Sequence, residues 1–158
     1  MEDSFEEDSY AERHYDDQPP EAVHPEDQRA EDLLNRLHHA FRAEDGSFLL
    51  KLRSGLEWDQ AGFAALIQDM ASVCELYGGS EMIERWLADG FWYLPNFIKT
   101  WIVHPDFPKE QLPANHALVA ELLEDLAHWF FTDDCPWENP EGWLKAVLPP
   151  GEAPASAG

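Results

Sequence analysis

"FWYLPNFIKTWIVHPDFP" (Phe91–Pro108) places six aromatic residues within eighteen positions of a chain whose formal net charge is −22. How this run is buried decides the fold. Wound as a helix at about 100° per residue, Phe91, Leu94, Ile98 and Trp101 share one face. Tyr93 and Phe97 point elsewhere, and Trp92 and Val103 elsewhere again. A helix that is apolar on every side is normally buried on every side. The segment therefore reads as the central helix of a helical core, with Pro95 in its first turn or kinking it. An exposed docking face is the alternative. A membrane span is not expected, because Phe91–Val103 is broken by Pro95, Asn96 and Lys99 and falls short of the roughly 20 apolar residues that cross a bilayer.

The same helical period extends to either side. Pro25 suits a first helical position, followed by an acidic first turn and the stripe Ala30, Leu33, Leu34, Leu37, Ala40 and Phe41, ending before Gly46. Asp59 is placed to cap a helix whose Phe63, Leu66, Ile67, Met70, Val73, Cys74 and Tyr77 repeat at three and four residues, and Gly78-Gly79 stops it. Ser80 suits the cap of a helix "EMIERWLADG" leading into the aromatic run. Asn115 suits the cap of one reaching about Phe131, and Asn139-Pro140 the start of a short last helix. Ser47–Arg53 alternates Phe48, Leu50 and Leu52 as a strand would, yet no second strand is there to pair with it. The fold class expected is all-α, a single compact bundle of five to six helices spanning 25–148. Of the tryptophans, Trp86, Trp92, Trp101 and Trp129 are expected in the core, with Trp137 and Trp143 pinning the last helix.

Charge divides the chain differently. Residues 1–32 hold 13 acidic and two basic residues, a net of −11; the other 126 hold 19 and 8, again −11. Net charge per residue thus drops about fourfold beyond the first segment. Residues 1–24 show no amphipathic period and contain Pro19-Pro20, so they read as a disordered acidic tail. Phe5, Tyr10 and Tyr15 recur there at five-residue steps, sharing no helical face but able to anchor an extended segment. Residues 149–158 read as a disordered Pro/Ala/Gly tail. The N-terminus lacks a basic region and an apolar run, so no secretory signal is read, and Cys74 and Cys135 lack metal spacing. A cytoplasmic protein with free thiols is expected.

Net charge of this sign excludes direct nucleic-acid binding, which rests on neutralising phosphates with Lys and Arg. It favours cationic partners instead. No Lys or Arg falls between Arg53 and Arg85, against six acids. None falls between Lys109 and Lys145, against eight: Glu110, Glu121, Glu124, Asp125, Asp133, Asp134, Glu138 and Glu141. A solvated helix face normally interleaves cations for pairs four residues apart. The candidate partner-binding patch is Glu121, Glu124, Asp125, Asp133, Asp134 and Glu138.

Catalytic signatures are absent. No nucleophile sits beside a base, and no glycine-rich phosphate loop follows a strand. On the 115–131 helix Leu118, Val119, Leu122, Leu123, Leu126, Trp129 and Phe130 fill an arc of about 140°, with Glu121, Glu124, Asp125 and His128 opposite. Asp125-x-x-His128 is half of the pattern that carboxylate-bridged metal sites need. Its plainer reading is a solvated face with a Glu124–His128 pair. The expectation is a non-enzymatic acidic protein, without cofactor or metal, that covers a basic surface of a partner protein (inhibitor, immunity or DNA-mimic type). Two rivals remain: a small metal-dependent enzyme built on Glu121, Asp125 and His128, and a subunit of an assembly docking through the aromatic 91–108 segment.

Overall fold

A computed structural model of the chain describes residues 24–147, the side chains of Trp143 and residues 145–147 excepted. Residues 1–23 of the acidic tail expected over 1–24, the Trp143 contact and the 149–158 tail lie outside the described residues. Among the described residues six α-helices follow one another: α1 (Pro25–Phe41), α2 (Phe48–Gly55), α3 (Gln60–Leu76), α4 (Arg85–Ile102), α5 (His116–Thr132) and α6 (Pro140–Val147), with a 3-10 turn at Lys109–Gln111. No strand occurs among the described residues. The helices α1, α3, α5 and α4 pack in a ring, each against the next, and α2 bridges α1 and α3. No helix among the described residues is long and apolar enough to cross a membrane.

Local signals account for most boundaries. Pro25 opens α1, with Glu26 and Asp27 in its first turn. The ambiguous Ser47–Arg53 stretch is helical. The Ser47 hydroxyl accepts from the Leu50 N–H (3.3 Å), and Phe48, Leu49 and Leu52 are buried rather than the alternating set a strand would bury. Asn139 caps α6, accepting from the Gly142 N–H at 3.0 Å.

Asp59 caps α3 through the Gly62 N–H (3.2 Å) and receives the Lys51 ammonium at 2.7 Å. The lysine first, and then the capping N–H groups against the cost of burial, hold its carboxyl below the usual range. A depressed carboxyl contributes stability that is present above the unfolded value of about 4 and is lost as pH falls through the folded one. Asp59→Ala is therefore expected to cost about 1 kcal/mol at pH 7. It should also narrow the gap between urea midpoints measured at pH 7 and pH 3.

Ser80 does not start the fourth helix. Its hydroxyl is held within its own turn, bonded to the Met82 carbonyl at 2.8 Å, and Glu84 in extended backbone takes the N-cap position. The Tyr77 hydroxyl donates to the Glu84 carboxylate across this connection. From Arg85 the helix runs unbroken into the aromatic segment, with Pro95 buried in its interior. The Asn96 amide donates to the Trp92 carbonyl (3.0 Å) in the turn that holds the proline.

The core fills the ring. Leu37, Phe63, Ile67, Met70, Leu87, Phe91, Leu94, Ile98, Leu122, Leu123 and Leu126 are fully buried. At one end Phe48, Trp58 and Phe63 meet with ring centroids 5.0–5.3 Å apart. The aromatic segment is buried on one side only. Phe91, Leu94 and Ile98 face inward, while Trp92 is 64% exposed and Val103 74%. Trp92 is thus not a core tryptophan: it lies about 100° around the helix from Phe91, outside the arc that α1 and α5 cover. Trp58 and Trp129 are buried, Trp86 and Trp101 half-buried, and Trp137 packs edge-on against Trp129 at 6.1 Å.

Candidate partner-binding face

α5 divides as its sequence requires, with one departure at its start. Val119, Leu122, Leu123, Leu126, Trp129 and Phe130 are buried, whereas Leu118 is exposed. Glu121, Glu124 and His128 stand on the opposite, exposed face beside the half-buried Asp125. The chain leaving α5 extends this face with Asp133, Asp134 and Glu138, all exposed.

The six carboxylates differ in what holds them. The Lys99 ammonium of α4 pairs with Glu124, so Glu124 is neutralised from across the helix seam and is not free. This corrects the expectation of a Glu124–His128 pair. His128 instead lies 4.0 Å from Asp134. Asp133 ends α5 in a left-handed conformation (φ 58°), and its carboxylate accepts from the Gly79 N–H at 2.8 Å, tying the α3–α4 turn to the end of α5. Among the described residues, Glu124 is the sole acid of the 110–141 run within 4 Å of a Lys or Arg nitrogen. The first basic-free run is entered from outside as well, since Lys51 reaches Asp59 and Arg36 grips Asp69 with two hydrogen bonds of 3.0 and 3.1 Å.

Burial, and then the negative charges of Glu121 and Glu124, push the Asp125 carboxyl above its ordinary value against a smaller opposing pull from His128. A raised carboxyl means that the folded state penalises the charged form at every pH above the folded value. Asp125→Asn is accordingly expected to leave the fold as stable at pH 7 or to raise it by about 0.2–0.5 kcal/mol. Thermal unfolding at pH 7 measures this.

No protein-family model matches the chain, and neither a curated protein nor a solved structure is significantly similar to it.

Glu121, Asp125 and His128 do not assemble a metal centre. Among the described residues no three His, Cys, Asp or Glu side chains are grouped so as to hold an ion. The face instead borders apolar surface that sequence reasoning assigned to the core or passed over. Phe91 of α4 stacks on Phe130 of α5 with centroids 4.0 Å apart, and each is followed by a ring that turns outward, Trp92 and the 49%-exposed Phe131. One further residue rotates each antiparallel helix by about 100° towards the same side of the seam. That is also the side on which Lys99 meets Glu124. The signal for Phe131 was its step past Phe130 on the wheel; the signal for the Lys99 contact was absent, because helix register is not written in either helix alone.

Proposed function

We propose that this chain is a non-enzymatic acidic binding protein that covers a basic surface of a partner protein, in the manner of an inhibitor, an immunity factor or a DNA mimic. The observation that carries the reading is the 110–141 acidic run, of which Glu124 alone is met by a Lys or Arg among the described residues. Carboxylates left together without cations repel one another, and a cationic partner recovers that cost on binding. Trp92 and Phe131 beside the face supply large apolar surfaces of the kind that anchor interfaces. Cys74 and Cys135 are both free thiols, which fits a reducing cytoplasm.

Capture on the immobilised full chain at low and at high salt, followed by mass spectrometry, tests this. A basic protein retained at low salt and released by high salt is the expected result. Recovery of no basic protein at low salt contradicts it. The exposure of Trp92 and Val103 supports a second reading, assembly through the outer face of α4. That reading predicts a dimer or larger species by light scattering at micromolar concentration.

A further inference from the structure

A protein with 32 acidic residues leaves two of its ten cations facing an aromatic pocket with no carboxylate upon them among the described residues. Arg42 and Arg53 line a pocket of about 240 Å³ together with Phe41, Tyr93, Phe97 and Asp89. Neither guanidinium has a carboxylate within 4 Å among the described residues, Asp89 included. Both arginines lie at helix C-termini, where the helix dipole favours cations. The dipole accounts for the residue type but supplies no acceptor to the outward N–H groups. Tyr93 and Phe97 stack with centroids 5.3 Å apart, so one wall is an aromatic surface in which Tyr93 is exposed and Phe97 half-buried. A cavity of about 150 Å³ holds one benzene ring, so a single aromatic side chain is the natural size of occupant.

The sequence contains an occupant of that chemistry within reach. Residues 1–23 hold nine acids and one base, a net of −8, and Tyr15 is followed at once by Asp16 and Asp17. Tyr15 precedes the first residue of α1 by ten positions, a tether of up to about 33 Å when extended. α1 has 17 residues and at about 1.5 Å per residue separates Pro25 from Phe41 by about 25 Å. A chain doubling back along α1 therefore brings Tyr15 to the pocket with length to spare.

We propose that Tyr15-Asp16-Asp17 docks in this pocket, its ring on Phe41, Tyr93 and Phe97 and its carboxylates on Arg42 and Arg53. Exposed ion pairs are weak singly, but a short tether presents the segment at millimolar effective concentration. The contact is salt-sensitive, since each pair lies in water and the Debye length shrinks from about 10 Å at 0.1 M to about 3 Å at 1 M. Docking there holds the acidic segment against α1, α2 and α4 and leaves the α5 face uncovered.

Replacing Tyr15 in the full chain with the photo-crosslinker p-benzoylphenylalanine tests this directly. Irradiation at low salt is expected to give intramolecular crosslinks to peptides spanning 41–53 and 89–97. Their yield should fall at least fivefold in 1 M salt, with Arg42→Glu/Arg53→Glu, and with Asp16→Asn/Asp17→Asn, a change that leaves α1–α6 untouched. Crosslinks spread over the bundle, or insensitive to both double substitutions, overturn the proposal. Crosslinks between two chains overturn it in favour of a second copy as the occupant. None of these outcomes depends on whether the α5 face binds a basic partner.

Discussion

Phe91→Ala is expected to destabilise the fold by about 3–5 kcal/mol. Phe91 is fully buried, stacks on Phe130 at 4.0 Å with planes 8° apart, and meets Phe41 edge-on at 5.9 Å. It therefore joins α1, α4 and α5 at one point, and truncation leaves a cavity that three helices would have to close together. Urea unfolding with an unchanged m-value is the measurement. The neighbouring Trp92→Ala is the internal control. Its ring is exposed, so its effect on stability should stay within about 0.5 kcal/mol. A loss for Trp92→Ala equal to that for Phe91→Ala would mean that α4 is rotated from the orientation described.

Gly90→Ala is the second large effect, and its sign is opposite to the usual one. Alanine in a helix interior is normally favoured over glycine by about 1 kcal/mol. Here a Cβ at position 90 would lie 2.1 Å from Cδ2 and 2.4 Å from Cε2 of Phe41. The Phe41 ring cannot yield freely, because Trp86 and Phe91 pack on it with centroids 6.3 and 5.9 Å away. The close approach of α1 to α4 therefore depends on the missing side chain, and Gly90→Ala is expected to cost about 1–3 kcal/mol. Combining it with Phe41→Leu should recover part of that loss, since residues in direct contact are coupled. Simple addition of the two single effects would place Phe41 elsewhere.

Much of this architecture was legible beforehand, because helix periods and caps are local. Pro25, Asp59 and Asn139 each begin the helix their type suggests. The stripe from Phe63 to Cys74 is buried as its spacing requires. Ser80 misled because serine bonds its own turn as readily as it caps a helix, and Met82 takes its hydroxyl here. Trp92 misled because composition marks an aromatic run as core, whereas burial depends on how many neighbours cover a helix. α4 is covered on the side facing α1 and α5 and open on the other. Ser47–Arg53 was undecidable from alternation alone, and the Ser47 cap decides it.

The candidate face was legible in part. The absence of cations from the 110–141 run is a property of the sequence, and the outward placement of Glu121, Glu124, Asp134 and Glu138 followed from the α5 wheel and the polar turn after it. Lys99 reaching Glu124 was invisible, since it depends on the register of α4 against α5. The same holds for Asp133, whose carboxylate ties down Gly79 across 54 positions of sequence. Two members of the patch are thus partly structural. The four without such ties are the exposed Glu121, Asp134 and Glu138 and the half-buried Asp125, with Asp134 near His128.

Those four define the decisive measurement. The association rate of a captured basic partner should be followed across ionic strength for the full chain and two variants of equal net charge. One neutralises Glu121, Asp125, Asp134 and Glu138 as amides; the other neutralises the exposed Glu26, Glu31, Glu44 and Glu57, away from α5. If the α5 face steers and seats the partner, the first set slows association at least tenfold at low salt. The second should change it less than about twofold, and high salt should erase the difference between them. Equal slowing by both sets, or none by either, would show that the carboxylates of α5 serve as general surface charge and not as a binding face.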